Sequence, residues 1–600
     1  MSVPELLASG PEQKRAIARV DVAAEARDLV AGLVAAPWGQ VSASVYETGR
    51  LVSTAPWLSG HAGRVRFLLD SQRPDGGWGT PGGYALVPTL SATEALLAEL
   101  RRGASARPAG TERGVTRDAE RLPGPSSRVL TEAAARGLRA LERWSGEETR
   151  ASLPDMPAIE LIVPTLTSTI NAHLVSGGGR LETPAGMDGV KLAAIREWLA
   201  SGAAVPQKLV HALEVIGEVA SEAAGVSPVP VGVARVVPEE ATGDGDPTTA
   251  APSEPIAAVG ASPAAAVAWL GTRGATEPDD PVLRYLEEVV GRSGGPVPCA
   301  TPITVFERGW ALSWLLRAGV TPVVPASLTA SLREALGSGR SAAGPGLPPD
   351  ADTTSVAFYA LALLGTPLEP AGLWAYETGT HFCTWEGEEG ASPTVNAHVL
   401  DAFGEYLRRG PAIPDPRYAE AVRKLSAWLR DRQEADGSWL DRWHASPYYA
   451  TACCAIALAD FGGEESAVAV RAAESWVLDT QRQDGSWGRW EGTAEETAYA
   501  LQTLLLAAGP LARHDDARAA ALERGHRYLL ASVTDRGESI DASPLWHDKD
   551  LYLPVAIVRA AVLGALHLVR RAPSSTARRP AQPDDLHAVT ESNQDSTEES

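Results

Sequence analysis

Cysteine is scarce in this chain of 600 residues, occurring only at Cys299, Cys383, Cys453 and Cys454. Their spacing fits neither a zinc site nor a disulfide framework, which excludes a disulfide-stapled scaffold and points to a reducing compartment. The adjacent Cys453 and Cys454 are expected on a buried helix. Lysine is scarce as well, and arginine supplies almost all of the positive charge. Lysine occurs only at Lys14, Lys191, Lys208, Lys424 and Lys549, and the formal net charge is -22. A phosphate-binding surface for nucleic acid needs a basic stripe, and none is present. No uninterrupted run approaches the ~18 apolar residues of a spanning helix, so no transmembrane segment is expected. Met1 to Leu7 lacks a basic region followed by an apolar core, so no secretory signal is evident and a cytoplasmic location is expected. Alternating apolar and polar residues, the mark of half-buried strands, are also few.

What is present is helical. Ala- and Leu-rich stretches at helical spacing recur, as in Glu94 to Leu100, Arg308 to Leu316 and Thr497 to Leu505, and the expected fold class is all-α. Between such stretches one motif returns with constant internal spacing: Gln72-Arg73-Pro74-Asp75-Gly76-Gly77-Trp78, Gln433-Glu434-Ala435-Asp436-Gly437-Ser438-Trp439 and Gln481-Arg482-Gln483-Asp484-Gly485-Ser486-Trp487. Asp-Gly permits a tight turn, Trp packs back on the preceding helix, and the Gln amide bonds backbone groups freed at helix ends. These are structural clamps. The segment 236–255 reads as a loop and the segment 573–600 as a disordered tail.

Asp350-Ala351-Asp352-Thr353 places two carboxylates at i, i+2 immediately before the apolar helical run Ser355 to Leu364. Two acids this close resist ionising together, so one can hold a proton at neutral pH and protonate a base as weak as an alkene. Helix capping is the competing reading, since Asp352 or Thr353 makes an ordinary N-cap. Diphosphate ionisation is not expected, because Asp279-Asp280 and Asp515-Asp516 lack the third acid of an Asp-Asp-x-x-Asp metal motif. No zinc site of the protein prenyltransferase kind can be recognised among the cysteines. A non-catalytic helical-barrel binding module remains a rival that the clamps alone would fit.

The clamps together with Asp350-Ala351-Asp352 resemble class II terpene cyclases, the family of copalyl diphosphate synthases, related to squalene-hopene cyclases. Val41 to Thr48, Tyr84 to Thr93, Met156 to Glu160, Val305 to Trp310 and Trp443 to Tyr449 extend the resemblance in order along roughly residues 20 to 570. It implies two αα-barrel-like domains, β and γ, with the active site between them. The expected division is a flexible N-terminus at 1–17, a first part of β at 18–54, an inserted γ at 55–275 and the remainder of β at 276–572. By position the resemblance makes Asp352 the acid that protonates the terminal alkene, with Asp350 in support. Thr353 replaces the family's third Asp and can hydrogen-bond Asp352 without adding charge.

That Asp-x-Asp-Thr-Thr form resembles cyclases making drimane sesquiterpenes, which favours farnesyl diphosphate over geranylgeranyl diphosphate as substrate. His211 is the carried-over position for the terminal deprotonation, and Cys299 stands where the family's partner Asn would fall. His211 also reads as an ordinary core histidine. Trp310, Trp374, Tyr376, Phe382, Trp385, Tyr448 and Trp546 are candidates to face the migrating cation, most of them equally readable as core aromatics. Lys191, Lys208, Lys549 and Arg196 are candidates for the diphosphate, with Mg²⁺ as cofactor and Glu147 and Glu148 as its ligands. Each of these can instead be solvated surface.

Overall fold

The computed structural model describes residues 20–105, 125–144, 153–174, 179–231, 255–388, 390–413, 415–507, 515–533 and 543–572. The stretches expected to be flexible at 1–17, in the loop 236–254 and in the tail 573–600 lie outside these, as do Glu147 and Glu148. The chain is almost entirely helical, with strand pairing limited among the described residues to short two-stranded pieces, Val229–Pro230 with Ala257–Ala258 and Trp546–His547 with Leu551–Tyr552. No described helix is long and apolar enough to cross a membrane. Helix starts follow local chemistry. Ser262-Pro263, Asp280-Pro281, Ser392-Pro393, Asp415-Pro416 and Ser446-Pro447 each pair a side-chain N-cap with a proline whose missing N–H is not needed there.

The three clamps fold alike. Trp78 Nε1 donates to Leu68 O at 2.6 Å, Trp439 Nε1 to Leu429 O at 2.9 Å and Trp487 Nε1 to Val477 O at 2.7 Å. Each Gln amide donates both to the glycine carbonyl four residues on and to the carbonyl of a neighbouring helix, at Ala133, Ala469 and Ala521. Gly76, Gly437 and Gly485 have φ of +88°, +98° and +90°, and a Cβ there would lie 2.7, 2.5 and 2.8 Å from the backbone oxygens of Arg136, Ala472 and Arg524. Only glycine satisfies both constraints. The clamps therefore pin successive helix pairs.

The larger apolar core takes Val22 to Leu33 and then residues from Cys299 to Leu566, the second takes residues from Trp38 to Val297 together with Ala445, Leu545 and Leu551, and a small third forms around Trp78. The helix Val45–Thr54 lies so close to Leu86–Ser105 that a Cβ on Gly49 would meet Ser91 Oγ at 2.5 Å, so its core is the second one. Tyr285, Leu286 and Val290 of the helix Pro281–Ser293 join it there.

Candidate active site

The helix Ala351–Leu363 begins at Asp350, whose carboxylate accepts from Thr353 N at 2.6 Å. Capping therefore falls to Asp350, which leaves Asp352 in the first turn free of that duty. Asp350 is buried, and burial above all, with Asp352 adding to it, pushes its carboxyl up to about 7. Thr353 turns both its amide and its hydroxyl toward Asp350.

Asp352 keeps 16% of its side-chain surface exposed, and its Oδ1 lies 2.6 Å from His398 Nδ1 on the helix Pro393–Arg409. Burial opposes a charge on His398, but the Asp352 carboxylate beside it and Cys453 on its other side raise its pKa well above the ordinary value. Nδ1 therefore carries a proton and donates it to Asp352 Oδ1, which fixes that carboxyl oxygen.

Aromatic rings extend from this pair. His398 meets Trp310 edge-on at 5.4 Å, Trp310 Nε1 donates to Tyr449 Oη at 2.9 Å, and Phe306, Trp310, Tyr449 and Trp546 lie within 4.3–6.4 Å of one another where they touch. His444 stacks on Tyr449 at 4.4 Å. His444 Nδ1 accepts from Ser446 N, so Nε2 holds the proton and donates to Glu495 Oε1 at 3.2 Å. Trp546 Nε1 and Tyr499 Oη donate to that same oxygen, at 2.8 and 3.1 Å, while Glu495 Oε2 is buried without a partner. Electron-rich ring faces beside a fully buried carboxylate suit a positive charge that must meet no nucleophile.

A second charged cluster joins the two larger cores. Lys549 is fully buried and donates to Glu47, to Glu214 at 3.1 Å and to His211 O at 2.8 Å, with Ser262 Oγ also at 2.8 Å. Tyr46 Oη donates to Glu214 at 2.7 Å, and Asp550 accepts from Ser44 Oγ at 2.7 Å. His211 sits alongside, with Nδ1 2.6 Å from Gly260 O and Nε2 2.8 Å from Asp548. Both ring nitrogens face acceptors, so the ring carries both protons, and its pKa is raised although burial resists it. Cys299 adjoins Asp548, and burial followed by that carboxylate pushes its thiol well up.

Residues 389–543 match the squalene-hopene cyclase C-terminal domain. Over 552 residues the chain is 41% identical to ent-copalyl diphosphate synthase from Streptomyces sp. (strain KO-3988), covering 91% of this chain and 96% of that protein. It is 38% identical over 567 residues to labda-7,13-dienyl diphosphate synthase from Streptomyces clavuligerus, covering 92% and 93%. The solved structure of ent-copalyl diphosphate synthase from Streptomyces platensis, at 41% identity, covers 92% of this chain and 100% of its own, with a TM-score of 0.78. The chain belongs to the class II, copalyl diphosphate synthase-like terpene cyclases.

The two-barrel, all-α architecture expected for it is therefore observed, and the protein is a cyclase acting on a linear prenyl diphosphate. The sesquiterpene, drimane expectation drawn from Thr353 is corrected: the relatives are copalyl, labda-7,13-dienyl and terpentedienyl diphosphate synthases. The hydroxyl of Thr353 serves Asp350 rather than the substrate side, which is why it is a poor guide to chain length.

Of the other positions read from sequence, Trp310 and Trp546 lie in the aromatic box beside Asp352. Tyr448 does not. It packs on Trp476 at 4.7 Å, and the next residue, Tyr449, takes the place expected for it. Trp374 and Phe382 belong to a separate cluster with Phe403 and Tyr418, and Tyr376 lies near Asp350. Trp385 meets Trp443 edge-on at 5.1 Å, with the exposed Lys208 ammonium 5.6 Å from its ring. Gln207, beside Lys208, donates to Leu347 O in the segment leading to Asp350.

Lys191 is exposed and pairs with Glu160, and Arg196 donates to Val215 O at 2.7 Å. Lys549 spends its donors inside the protein and has none for a diphosphate. Sequence reasoning missed His398 and Glu495. The signal for His398 was a polar residue, with Asn396, inside the otherwise apolar run Val395 to Leu400.

Proposed function

We propose that this cyclase converts geranylgeranyl diphosphate into a bicyclic labdane, copalyl-type diphosphate with the diphosphate retained. The observation that carries the mechanism is the Asp352 carboxyl, held by His398 and partly exposed at one end of an aromatic box. Asp352 gives its proton to the terminal alkene. The resulting tertiary cation is attacked by the next double bond, and a second closure follows. The neutral Asp350 keeps a second negative charge away from the acid, which preserves its strength. Phe306, Trp310, Tyr449 and Trp546 offer the cation π faces and exclude water. The cascade ends when a proton leaves the last cation toward the His211–Asp548 pair, where the Asp548 carboxylate is the basic member. The names and coverage of the Streptomyces relatives support geranylgeranyl diphosphate and the labdane skeleton.

Lys208, exposed beside the Trp385 ring, is the cation assigned to the diphosphate. Mg²⁺ is proposed to accompany the substrate as its counter-ion. Glu147 and Glu148 lie outside the described residues, and among those residues no group of three or more His, Cys, Asp or Glu is arranged to hold a metal. No step is routed through the ion. Chelation with EDTA is expected to lower turnover and added Mg²⁺ to restore it.

The test is direct: purified protein is incubated with geranylgeranyl diphosphate and Mg²⁺, the products are dephosphorylated, and the alcohols are identified by mass spectrometry. A bicyclic diterpene alcohol supports the reading. Release of inorganic diphosphate with a hydrocarbon product, or turnover of farnesyl diphosphate alone, overturns it.

A further inference from the structure

One ring beside the aromatic box keeps its polar atom unspent. Trp310 Nε1 donates to Tyr449 Oη, and Trp546 Nε1 and Tyr499 Oη both donate to Glu495. Tyr552 is paired with Trp546 across the short hairpin, and its ring lies 6.5 Å from the indole. Directly paired residues of an antiparallel ladder point to one face. Tyr552 therefore faces the box, while the pair His547 and Leu551 faces the other way, where His547 meets Tyr84. The Tyr552 hydroxyl makes no hydrogen bond among the described residues.

Tyr552 lies deep in the protein without being fully covered. The side chain is half-buried, yet the charges that reach it belong to Cys299, Asp548, Asp352 and Glu495, which are themselves buried or nearly so. Free surface on a ring among buried neighbours marks the wall of an internal space. Its position is between the two ends of the cascade: Asp352, which starts it, and Asp548, toward which the last proton leaves. Burial above all, followed by those four groups, holds the phenol well above its ordinary range, so it stays neutral and is not itself the base.

We propose that Tyr552 decides how the cascade ends: its ring fills the place beside the last cation that a water would otherwise take, and its hydroxyl oxygen steadies that cation next to Asp548. The inference rests on the reading of Asp352 as the acid and Asp548 as the terminal base. With the ring in place, a C–H bond beside the cationic carbon breaks, its electron pair becomes the new double bond, and the proton passes to Asp548. With a water in that place, the water oxygen forms a C–O bond to the cationic carbon and one water proton passes to Asp548. Each ending returns one proton for the one that Asp352 supplied. Room decides between them. A water takes about 30 Å³ of liquid volume, less than a phenol ring, and needs two to four polar partners, for which Asp548 and Glu495 offer acceptors.

The experiment reads the product rather than the rate alone. Purified variants are incubated with geranylgeranyl diphosphate and Mg²⁺ in heavy-oxygen water, and the dephosphorylated products are separated into bicyclic alcohols and bicyclic diols by mass spectrometry. Tyr552→Ala is expected to raise the share of diol carrying the solvent label by about tenfold or more, because water is no longer excluded from the cation. Tyr552→Phe keeps the ring, so its product should stay unhydroxylated, with kcat lowered by about fivefold and a changed proportion of double-bond isomers. Tyr552→Val should give an intermediate share of diol, and it carries the test where the alanine variant does not fold. If the smaller variants make the same unsaturated product more slowly, or if Tyr552→Phe yields as much diol as Tyr552→Ala, the proposal is wrong. Asp548→Asn separates the failures: should it leave rate and product unchanged, the reading of the terminal base falls, while the labelled oxygen still judges Tyr552.

Discussion

Two buried charge clusters lie close together in this cyclase, one around Asp352 and one around Lys549, and they serve opposite ends. Around Lys549 every ammonium proton goes to a protein acceptor, the lysine is 0% exposed, and the partners Glu47, Glu214 and His211 come from segments that belong to different parts of the chain. The ammonium has no donor left for a ligand, and Lys549 acts as a tie between distant segments of the chain. Around Asp352 the hydrogen bonds are incomplete by design: His398 fixes one carboxyl oxygen, Asp350 caps the helix, and the second oxygen of Asp352 is free. Burial and unusual charge are therefore poor markers of a reactive group by themselves. Unspent hydrogen-bonding capacity facing an open space is the better one.

The sharpest way to break this contrast is to remove the proton from the open cluster. Asp352→Asn keeps the shape and the His398 contact but has no acidic O–H, so kcat is expected to fall at least about a thousandfold with the melting temperature nearly unchanged. Lys549→Met attacks the closed cluster and should show the reverse signature. Leaving Glu47 and Glu214 buried without their cation costs about 3–5 kcal/mol of stability, read as a lower denaturation midpoint. Adding Glu47→Gln to Lys549→Met should recover part of that loss. If Lys549→Met instead folded normally and raised KM for the diphosphate substrate, the closed cluster would be a binding site after all.

A smaller effect is expected at Glu495, which lies between the two types. One of its oxygens takes three donors while the other is unpartnered, and its charge supports the rings of Trp546 and Tyr499. Glu495→Gln should lower kcat about tenfold, the scale of one to two kcal/mol of lost cation stabilisation, and increase early-terminated products. Product analysis by mass spectrometry checks it.

The clamps could be read from sequence because each is local. Gln, Asp-Gly and Trp within seven positions define the turn, and repetition exposes them. The carboxylate pair Asp350 and Asp352 at the head of a helix was legible for the same reason. His398 was not, since its partner Asp352 lies 46 residues away and no spacing rule joins them. Lys549 was misread because a lone lysine between two aspartates looks like a phosphate ligand, and its actual acceptors, Glu47 and Glu214, are hundreds of residues distant. Tyr448 and Tyr449 show a finer limit. Adjacent residues on a helix point about 100° apart, so a motif locates the pair and only the packing selects Tyr449.

The smallest predicted effect tests which side of the open cluster Thr353 belongs to. Asp350 titrates at about 7 in the fold against a usual 3.8, so it stays protonated in the folded chain while the unfolded chain has already ionised it. Its contribution to stability therefore falls as pH rises from about 4 to about 7 and is level above that. Asp350→Asn should flatten that slope. Thr353→Asp, by contrast, places a like charge beside Asp350 and raises the proton affinity of the pair by about one unit or more. The falling limb of stability should then extend to higher pH, and kcat near neutrality should change only a few fold, because the new acid faces Asp350 rather than the exposed side of Asp352. The product should be the same diphosphate made by the unaltered enzyme. A changed skeleton or a new preference for a shorter prenyl chain in Thr353→Asp would mean that position 353 touches the substrate, and the line drawn between Asp352 on the open side and Thr353 on the protein side would have to move.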